Sequence, residues 1–400
     1  MGLDRINEVK SQLNLDPEFP IITVGGTNGK GSTCAMLERI YQQAGYRVAC
    51  YTSPHFLRYN ERIRIDCQEI SDEDLLKSFA AVEEARGSTP LTYFEFGTLA
   101  AVWHFMHSQV DVAILEVGLG GRLDAVNAFN PACTVITAID FDHMDFLGNS
   151  RESIGFEKAG IFRKDVPAIC GDPNPPHTLI SHAESIGALL RRIGQDFRVE
   201  TGQAGWTYRA GTFELTDLTI PSLTGGFQLE NAACVVDAIQ AVRNQLPVSK
   251  VHIAAGLKSV RLPGRFQQCS TEPLVILDVA HNPHAAHALA QNLQQLPESN
   301  RTLAVFGMLA DKDIPGVVQE VIAQIDAWYL ADIPGPRGAT AQQVARIIHQ
   351  HDKQCDIRKY SDVTTAYRQA CLAAGRDDRI IVFGSFYTVA DVMRDLSKSS

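Results

Sequence analysis

The sequence predicts an α/β protein in two parts. The N-terminal part is a doubly wound, largely parallel sheet with a small antiparallel β subregion. The C-terminal part is smaller and Rossmann-like. Three observations predict this. Short β-rich runs alternate with amphipathic stretches of helical period along most of the chain. A glycine-rich turn lies between the first apolar run and the first such stretch. A Pro-Gly pair at 263–264 precedes a second round of alternation, so the boundary is expected between residues 1–262 and 263–400.

Residues 20–25 (PIITVG) read as a buried strand, and 32–44 as a helix closed by Gly45. A second strand covers 47–52. Residues 71–86 read as a helix starting at Ser71 with acidic residues in its first turn, and 94–107 as an apolar helix. Strands follow at 110–117 and 133–139, a helix at 151–161 and a strand at 165–170. The Gly- and Thr-interrupted stretch 197–220 reads as short antiparallel strands, and 230–245 and 249–257 as helices. In the second part, strands are expected at 274–279, 302–307, 327–331 and 379–383. Helices lie between them near 284–296, 315–324, 340–351 and 361–374.

Composition narrows the function. The 400 residues include 36 Lys and Arg against 46 Asp and Glu, a net charge of −10. That excludes a broad nucleic-acid-binding surface, which needs basic contacts to phosphate, while leaving room for a local anion pocket. The nine cysteines are scattered, with no C-x-x-C pair or zinc-like spacing, which suits a reducing cytoplasm. The N-terminus has neither an apolar signal core nor a myristoylation pattern, and no apolar run approaches the ~18 residues of a membrane span.

The segment Ile21-Ile22-Thr23-Val24-Gly25-Gly26-Thr27-Asn28-Gly29-Lys30-Gly31-Ser32-Thr33 runs from strand through glycine-rich turn to helix. Glycines let backbone N–H groups close around phosphate oxygens, the helix N-terminus adds its positive dipole end, and Lys30 brings a full charge. The general phosphate-loop pattern G-x-x-x-x-G-K-[ST] places Gly at 24 and a hydroxyl at 31. Here those positions hold Val24 and Gly31, and the hydroxyl comes at Ser32. The N-terminal part is thus P-loop NTPase-like, with a variant loop.

Ligands of open parallel sheets collect at the carboxyl ends of the strands. Three side chains suited to a hard cation are expected there: Ser53 after the second strand, Glu116 at the end of the third, and His143 after the fourth. Ser53 could instead cap a turn, and Asp142 and Asp145 compete with His143 for a metal. Lys158, on the next helix, reads either as a solvent-facing ion-pair partner or as a cation or modified lysine near phosphate and metal.

The ordered motifs GTNGKGST, TSPH, LTYFEFGTLAA, LEVGLGGRLDAVN, DHMDFLG, EKAGIF, LPGRFQ, DVAHNPHA, GMLADKD, GPRGATA and VFGSFYTVA span nearly the whole chain. By them the chain resembles the folylpolyglutamate synthases of the Mur-ligase-like ADP-forming amide ligases, and more closely the bifunctional dihydrofolate synthase branch. The resemblance implies a cytoplasmic monomer that joins L-glutamate to dihydropteroate and to folate glutamates such as tetrahydrofolate derivatives, through an acyl phosphate. It implies ATP, two Mg²⁺ and K⁺ as cofactors, with neither nucleic acid nor membrane as partner. Thr27, Asn28, Gly29, Lys30, Gly31, Ser32 and Thr33 would hold phosphates. Asn231, Arg265 and Asp278 would complete the ATP site. Ser53, Glu116 and His143 would bind Mg²⁺, and Lys158 would match a carbamylated lysine. Leu91, Thr92, Tyr93, Phe94, Arg122, Leu123 and Asp124 would contact the pterin, and His281 and Ser385 the incoming glutamate. Lys30, Lys158, Arg265 and His281 would be catalytic. Family members carry a segment of about two dozen residues ahead of the position of Met1, with an Asp-Leu-Gly run near the pterin site, so either the start is misplaced or that part of the pocket is absent.

Asp278 and His281 are expected to end the first strand of the C-terminal part, and Arg265, just past the linker, to act on domain closure. A position before the helix from about 284 also fits His281 as a cap. A kinase or nucleotide switch would share the loop and metal ligands but leave Arg265, Asp278 and His281 unexplained. A peptidoglycan-type Mur ligase would need a further domain ahead of the loop. A non-catalytic nucleotide-sensing module would bind ATP without turnover.

Overall fold

A computed structural model describes residues 2–202 and 205–399. Gln203 and Ala204, inside the predicted 197–220 stretch, lie outside the described residues. The chain divides into two compact units, residues 1–222 with 227–261 and residues 223–226 with 262–400.

The first unit runs α1 (Asp4–Gln12), β1 (Ile21–Gly25), α2 (Lys30–Gln43), β2 (Val48–Tyr51), β3 (Ile63–Ile65), β4 (Gln68–Glu69), α3 (Asp72–Arg86), α4 (Tyr93–Met106) and β5 (Val112–Glu116). It continues with β6 (Cys133–Ile136), α5 (Met144–Leu147), α6 (Arg151–Ala159), β7 (Pro167–Cys170), α7 (His177–Ile186) and β8 (Leu189–Arg192). These eight strands form one sheet in the order β4-β3-β2-β5-β1-β6-β7-β8. The pairs from β2 to β8 are parallel, and β3 and β4 add an antiparallel edge. All residues of β1, β5 and β6 are buried, so these strands read as mostly apolar runs rather than alternations. From β1 the chain first builds one side of the sheet and then crosses to the other at β6. The carboxyl ends of β1, β5 and β6 therefore surround the point where strand order reverses, the usual ligand position in such sheets.

Next come β9 (Arg198–Thr201), β10 (Trp206–Ala210) and β11 (Phe213–Leu218), an antiparallel three-stranded sheet, followed by α8 (Phe227–Ala241) and α9 (Lys250–Ser259). A buried polar knot ties this sheet down. Arg191 of β8 donates twice to Asp237 of α8 at 2.7 and 2.6 Å, and the Tyr208 hydroxyl of β10 donates to the same carboxylate.

The second unit runs β12 (Gln267–Thr271), β13 (Leu274–Leu277), α10 (Pro283–Gln294), β14 (Thr302–Phe306), α11 (Ile314–Val321), β15 (Ala327–Ala331), α12 (Ala341–His351), β16 (Asp356–Tyr360), α13 (Val363–Ala373), β17 (Arg379–Phe383) and α14 (Phe386–Ser399). Its sheet has the order β12-β13-β17-β14-β15-β16, parallel except for β12. No helix among the described residues is long and apolar enough to cross a membrane.

The two-sheet α/β architecture and the antiparallel subregion are as the sequence predicts. Several elements differ. The first helix starts at Lys30 rather than 32, and the helix expected at 230–245 spans Phe227–Ala241. Asp278 and His281 do not follow the first strand of the second unit, because β12 precedes β13 as an antiparallel edge. The strands β3, β4, β8, β12 and β16 and the helices α1 and α7 carried no clear signal. All five of those strands lie at or next to a sheet edge, where exposed polar residues blur the period-2 pattern.

Candidate active site

The glycine-rich turn between β1 and α2 is held from inside the protein. Thr27 N donates to Ala138 O at 2.7 Å, and the Thr27 hydroxyl donates to Asp140 O at 2.9 Å. Lys30 Nζ donates to Gly26 O at 2.9 Å and Thr27 O at 3.0 Å. Gly29, with φ +89°, is the N-cap of α2, and a Cβ there would lie 2.5 Å from Asn231 Oδ1. The backbone thus needs glycine both for its conformation and for the close approach of α8. Because α2 begins at Lys30, residues Lys30, Gly31 and Ser32 form its first turn, whose N–H groups have no partner within the helix. That is an anion-binding arrangement. Asn231 Nδ2 donates to Gln228 Oε1 at 3.1 Å, and Gln228 Nε2 to Ser32 Oγ at 3.2 Å, so α8 backs the loop. Thr33 Oγ1 is buried without a hydrogen-bond partner.

Ser53 and Glu116 are brought together: Ser53 N donates to Glu116 Oε2 at 2.8 Å. Glu116 is the buried last residue of β5. His143, with φ +52°, is the N-cap of α5, and its Nε2 lies 3.8 Å from Asp142 Oδ2. Carboxylate, hydroxyl and imidazole are donor types that fit a hard divalent cation keeping phosphate and water oxygens, and of the three residues the structure joins Ser53 to Glu116, through the Ser53 backbone. Among the described residues, no group of three or more His, Cys, Asp and Glu forms a self-sufficient metal cluster.

Lys158 is buried, which overturns its reading as a solvent-facing lysine. Burial, and then the Lys30 ammonium, bring its amine down to about 7, against the pull of Asp142 and Asp124. Lys158 and Lys30 are thus electrostatic neighbours among carboxylates. Burial lifts Asp124 to about 6, opposed by N–H groups of Leu119, Val126 and Gly118 and by Lys30.

The residues expected at the pterin have mixed environments. Thr92 caps α4 in a capping box with Glu95, whose carboxylate also accepts from Arg5. Tyr93 is 62% exposed, with its ring 5.3 Å from the Arg62 guanidinium. Phe94 packs on Gly118, where a Cβ would lie 2.6 Å from the ring. Leu91 is partly buried against the core of the first unit. Arg122 donates to Glu157 Oε1 at 2.8 Å and lies 5.7 Å from the Phe156 ring, while Leu123 is half-buried. Asp124 caps the turn after it, accepting from Leu119 N at 2.8 Å and Val126 N at 3.1 Å.

In the second unit, the Asp278 carboxylate accepts from Phe266 N and Ala280 N, both at 2.8 Å. Burial raises its pKa, and the Arg265 guanidinium draws it back down. Arg265 lies 5.4 Å over the Phe386 ring, and His281 faces the same ring at 6.3 Å. The capping role considered for His281 belongs to Asn282, whose Oδ1 accepts from Ala285 N at 2.9 Å. The buried Ser385 hydroxyl accepts from Thr388 N at 3.0 Å at the start of α14. Sequence reasoning missed Gln228, Phe386 and Thr137. Each acts through a partner remote in the chain, and only the spacing of Gln228 to Asn231 on one helix face could have flagged any of them.

The doubly wound sheet with its glycine loop after β1, followed by a second α/β unit, is the fold of a Mur ligase. The Mur ligase middle domain model matches residues 24–238, and the Mur ligase glutamate ligase domain model matches residues 264–386. The dihydrofolate synthase/folylpolyglutamate synthase of Escherichia coli K12 is 45% identical over 394 residues, which cover 98% of this chain and 90% of that protein. The chain belongs to the dihydrofolate synthase/folylpolyglutamate synthase family. The solved structure of E. coli FolC in complex with DHPP and ADP superposes with a TM-score of 0.94 at 44% identity, covering 100% of this chain and 94% of that one. A bifunctional folylpolyglutamate synthase/dihydrofolate synthase with Mn, AMPPNP and L-glutamate bound gives 0.92 at 46% identity, covering 99% and 94%.

Proposed function

We propose that this enzyme is an ADP-forming ligase that joins L-glutamate to dihydropteroate and to folate glutamates. The observation that carries this reading is that Lys158 interacts electrostatically with Lys30, at the start of α2, and with Asp124 and Asp142. The substrate carboxylate attacks the γ-phosphorus of ATP, ADP departs, and an acyl phosphate remains. The amine of glutamate then attacks the carbonyl carbon, loses a proton, and expels phosphate. Both steps bring anions together, so charge neutralisation and positioning dominate the protein's share.

Lys30 and the first-turn N–H groups of α2 hold the phosphates. Ser53, Glu116 and His143 hold the divalent cation, which supplies charge neutralisation on phosphate oxygens. The neutral amine that burial gives Lys158 at about pH 7 is the form that adds CO₂ to become a carbamate, releasing a proton; its negative charge then suits the cation side of the site. K⁺ would act as a further counter-cation. Leu91 to Phe94 and Arg122 to Asp124 line the pterin side. Asn231, Arg265 and Asp278 serve the nucleotide, and His281 and Ser385 orient the incoming glutamate. Residues 1–262 form the ATP- and pterin-binding domain and 263–400 the glutamate-ligase domain of a cytoplasmic monomer. A coupled ADP-release assay tests the reading. ADP must appear with dihydropteroate plus glutamate, and with a tetrahydrofolate plus glutamate. ADP released without glutamate would point to a kinase or phosphatase instead.

A further inference from the structure

Every carbonyl oxygen of the glycine loop from Gly25 to Gly29 is engaged by a donor of the protein. Lys30 Nζ takes Gly26 O and Thr27 O, and Thr33 N takes Gly29 O at 2.9 Å. The remaining two meet Thr137, the residue after β6. Thr137 N donates to Gly25 O at 3.0 Å, and the Thr137 hydroxyl lies 2.6 Å from Asn28 O and 3.2 Å from Gly25 O. A hydroxyl has one proton to give, and the shorter distance assigns it to Asn28 O. Thr137 is itself buried. A Cβ on Gly26 would lie 1.8 Å from its hydroxyl oxygen, so loop and side chain are in direct contact.

We propose that Thr137 is a positioning residue for the nucleotide loop, its hydroxyl fixing the peptide plane between Asn28 and Gly29. In a planar trans peptide, the C=O and the following N–H point to opposite sides. Drawing Asn28 O toward β6 therefore turns Gly29 N–H away from β6. Gly29 is the N-cap of α2, where N–H groups converge on an anion. Thr137 also keeps a carbonyl, the group that would repel phosphate, turned inward. The inference rests on the ligase reading above, in which this loop holds the phosphates of ATP.

The test compares Thr137→Val, which keeps the shape and removes the donor, with Thr137→Ser, which keeps the donor. ADP and AMPPNP affinities are measured by calorimetric titration, and KM for ATP and for glutamate by the ADP-release assay. Thr137→Val is expected to weaken nucleotide binding and raise KM for ATP about tenfold, the loss from taking the Thr137 donor away from the partly buried Asn28 carbonyl. Its KM for glutamate should not change, and Thr137→Ser should stay within about twofold of wild type. If Thr137→Val does not fold, Thr137→Cys, a weak donor of similar volume, takes its place. Wild-type affinity in the donor-free variant overturns the inference, as does a Thr137→Ser variant as weak as Thr137→Val. If wild-type protein bound no nucleotide, the ligase reading would fail first and take this inference with it.

Discussion

Glu116 Oε2 accepts the backbone N–H of Ser53 at 2.8 Å, joining the carboxyl ends of the neighbouring parallel strands β5 and β2. The bond sets the Ser53 backbone against the Glu116 carboxylate. Replacing Glu116 with Gln keeps an oxygen that can accept from Ser53 but removes the charge. The expected result is a melting temperature within a few degrees of wild type and a divalent-cation requirement raised about tenfold or more. Titration of Mn²⁺ by electron paramagnetic resonance, alongside activity, checks this. An unchanged cation dependence would remove Glu116 from the site.

Lys30 bonds the loop's own carbonyls and is an electrostatic neighbour of Lys158 and Asp124. Lys30→Ala should lower turnover by about 10²–10³, the scale for losing one well-placed charge-stabilising donor, with the far-ultraviolet circular dichroism spectrum unchanged. Near-normal turnover in the folded variant would refute the phosphate role.

Lys158 carries a pH signature. Its amine titrates near 7 when folded, against 10.5 ordinarily, chiefly through burial. Between those values the unfolded chain binds the proton and the folded chain does not, so this group's contribution to stability rises with pH across that window. Below about pH 7 both states are charged and the burial penalty is full. In CO₂-free buffer, the wild-type protein should therefore gain stability relative to Lys158→Met on going from pH 6 to pH 9, by urea unfolding. A constant difference between the two would contradict the buried neutral amine.

Asp237 binds both Arg191 and Tyr208 and is completely buried, whereas the Arg191 side chain is 36% exposed. Asp237→Ala should cost about 2 kcal/mol, below the ~3–5 kcal/mol of a fully buried pair because Arg191 keeps water. KM for ATP should not change. A melting temperature equal to wild type would show that the knot does not secure the β9–β11 sheet.

How legible each element was depended on how local its signal is. The central strands β1, β5, β14 and β17 are mostly apolar and buried throughout, and the sequence marks them plainly. The helix starts at Ser71 and Thr340 are written in side chains that cap their own backbones. The edge strands β8 and β16 (LLRR and DIRKY) are polar or exposed at many positions, so the pattern could not announce them. The turn 26–29 and the proximity of the strand-end residues Ser53 and Glu116 were legible because they sit on consecutive residues or at the ends of neighbouring strands. The burial of Lys158 was not, since the same local spacing also fits a surface lysine.

By itself the sequence determined the two α/β sheets and the glycine turn at the start of α2, because each is encoded within a dozen neighbouring residues. Only the tertiary structure decided the burial of Lys158 and the partner of Asn28 O. The first follows from which side chains surround the amine, and the second from a hydroxyl 109 residues away in the chain. Both depend on long-range packing, which no local pattern of residues records.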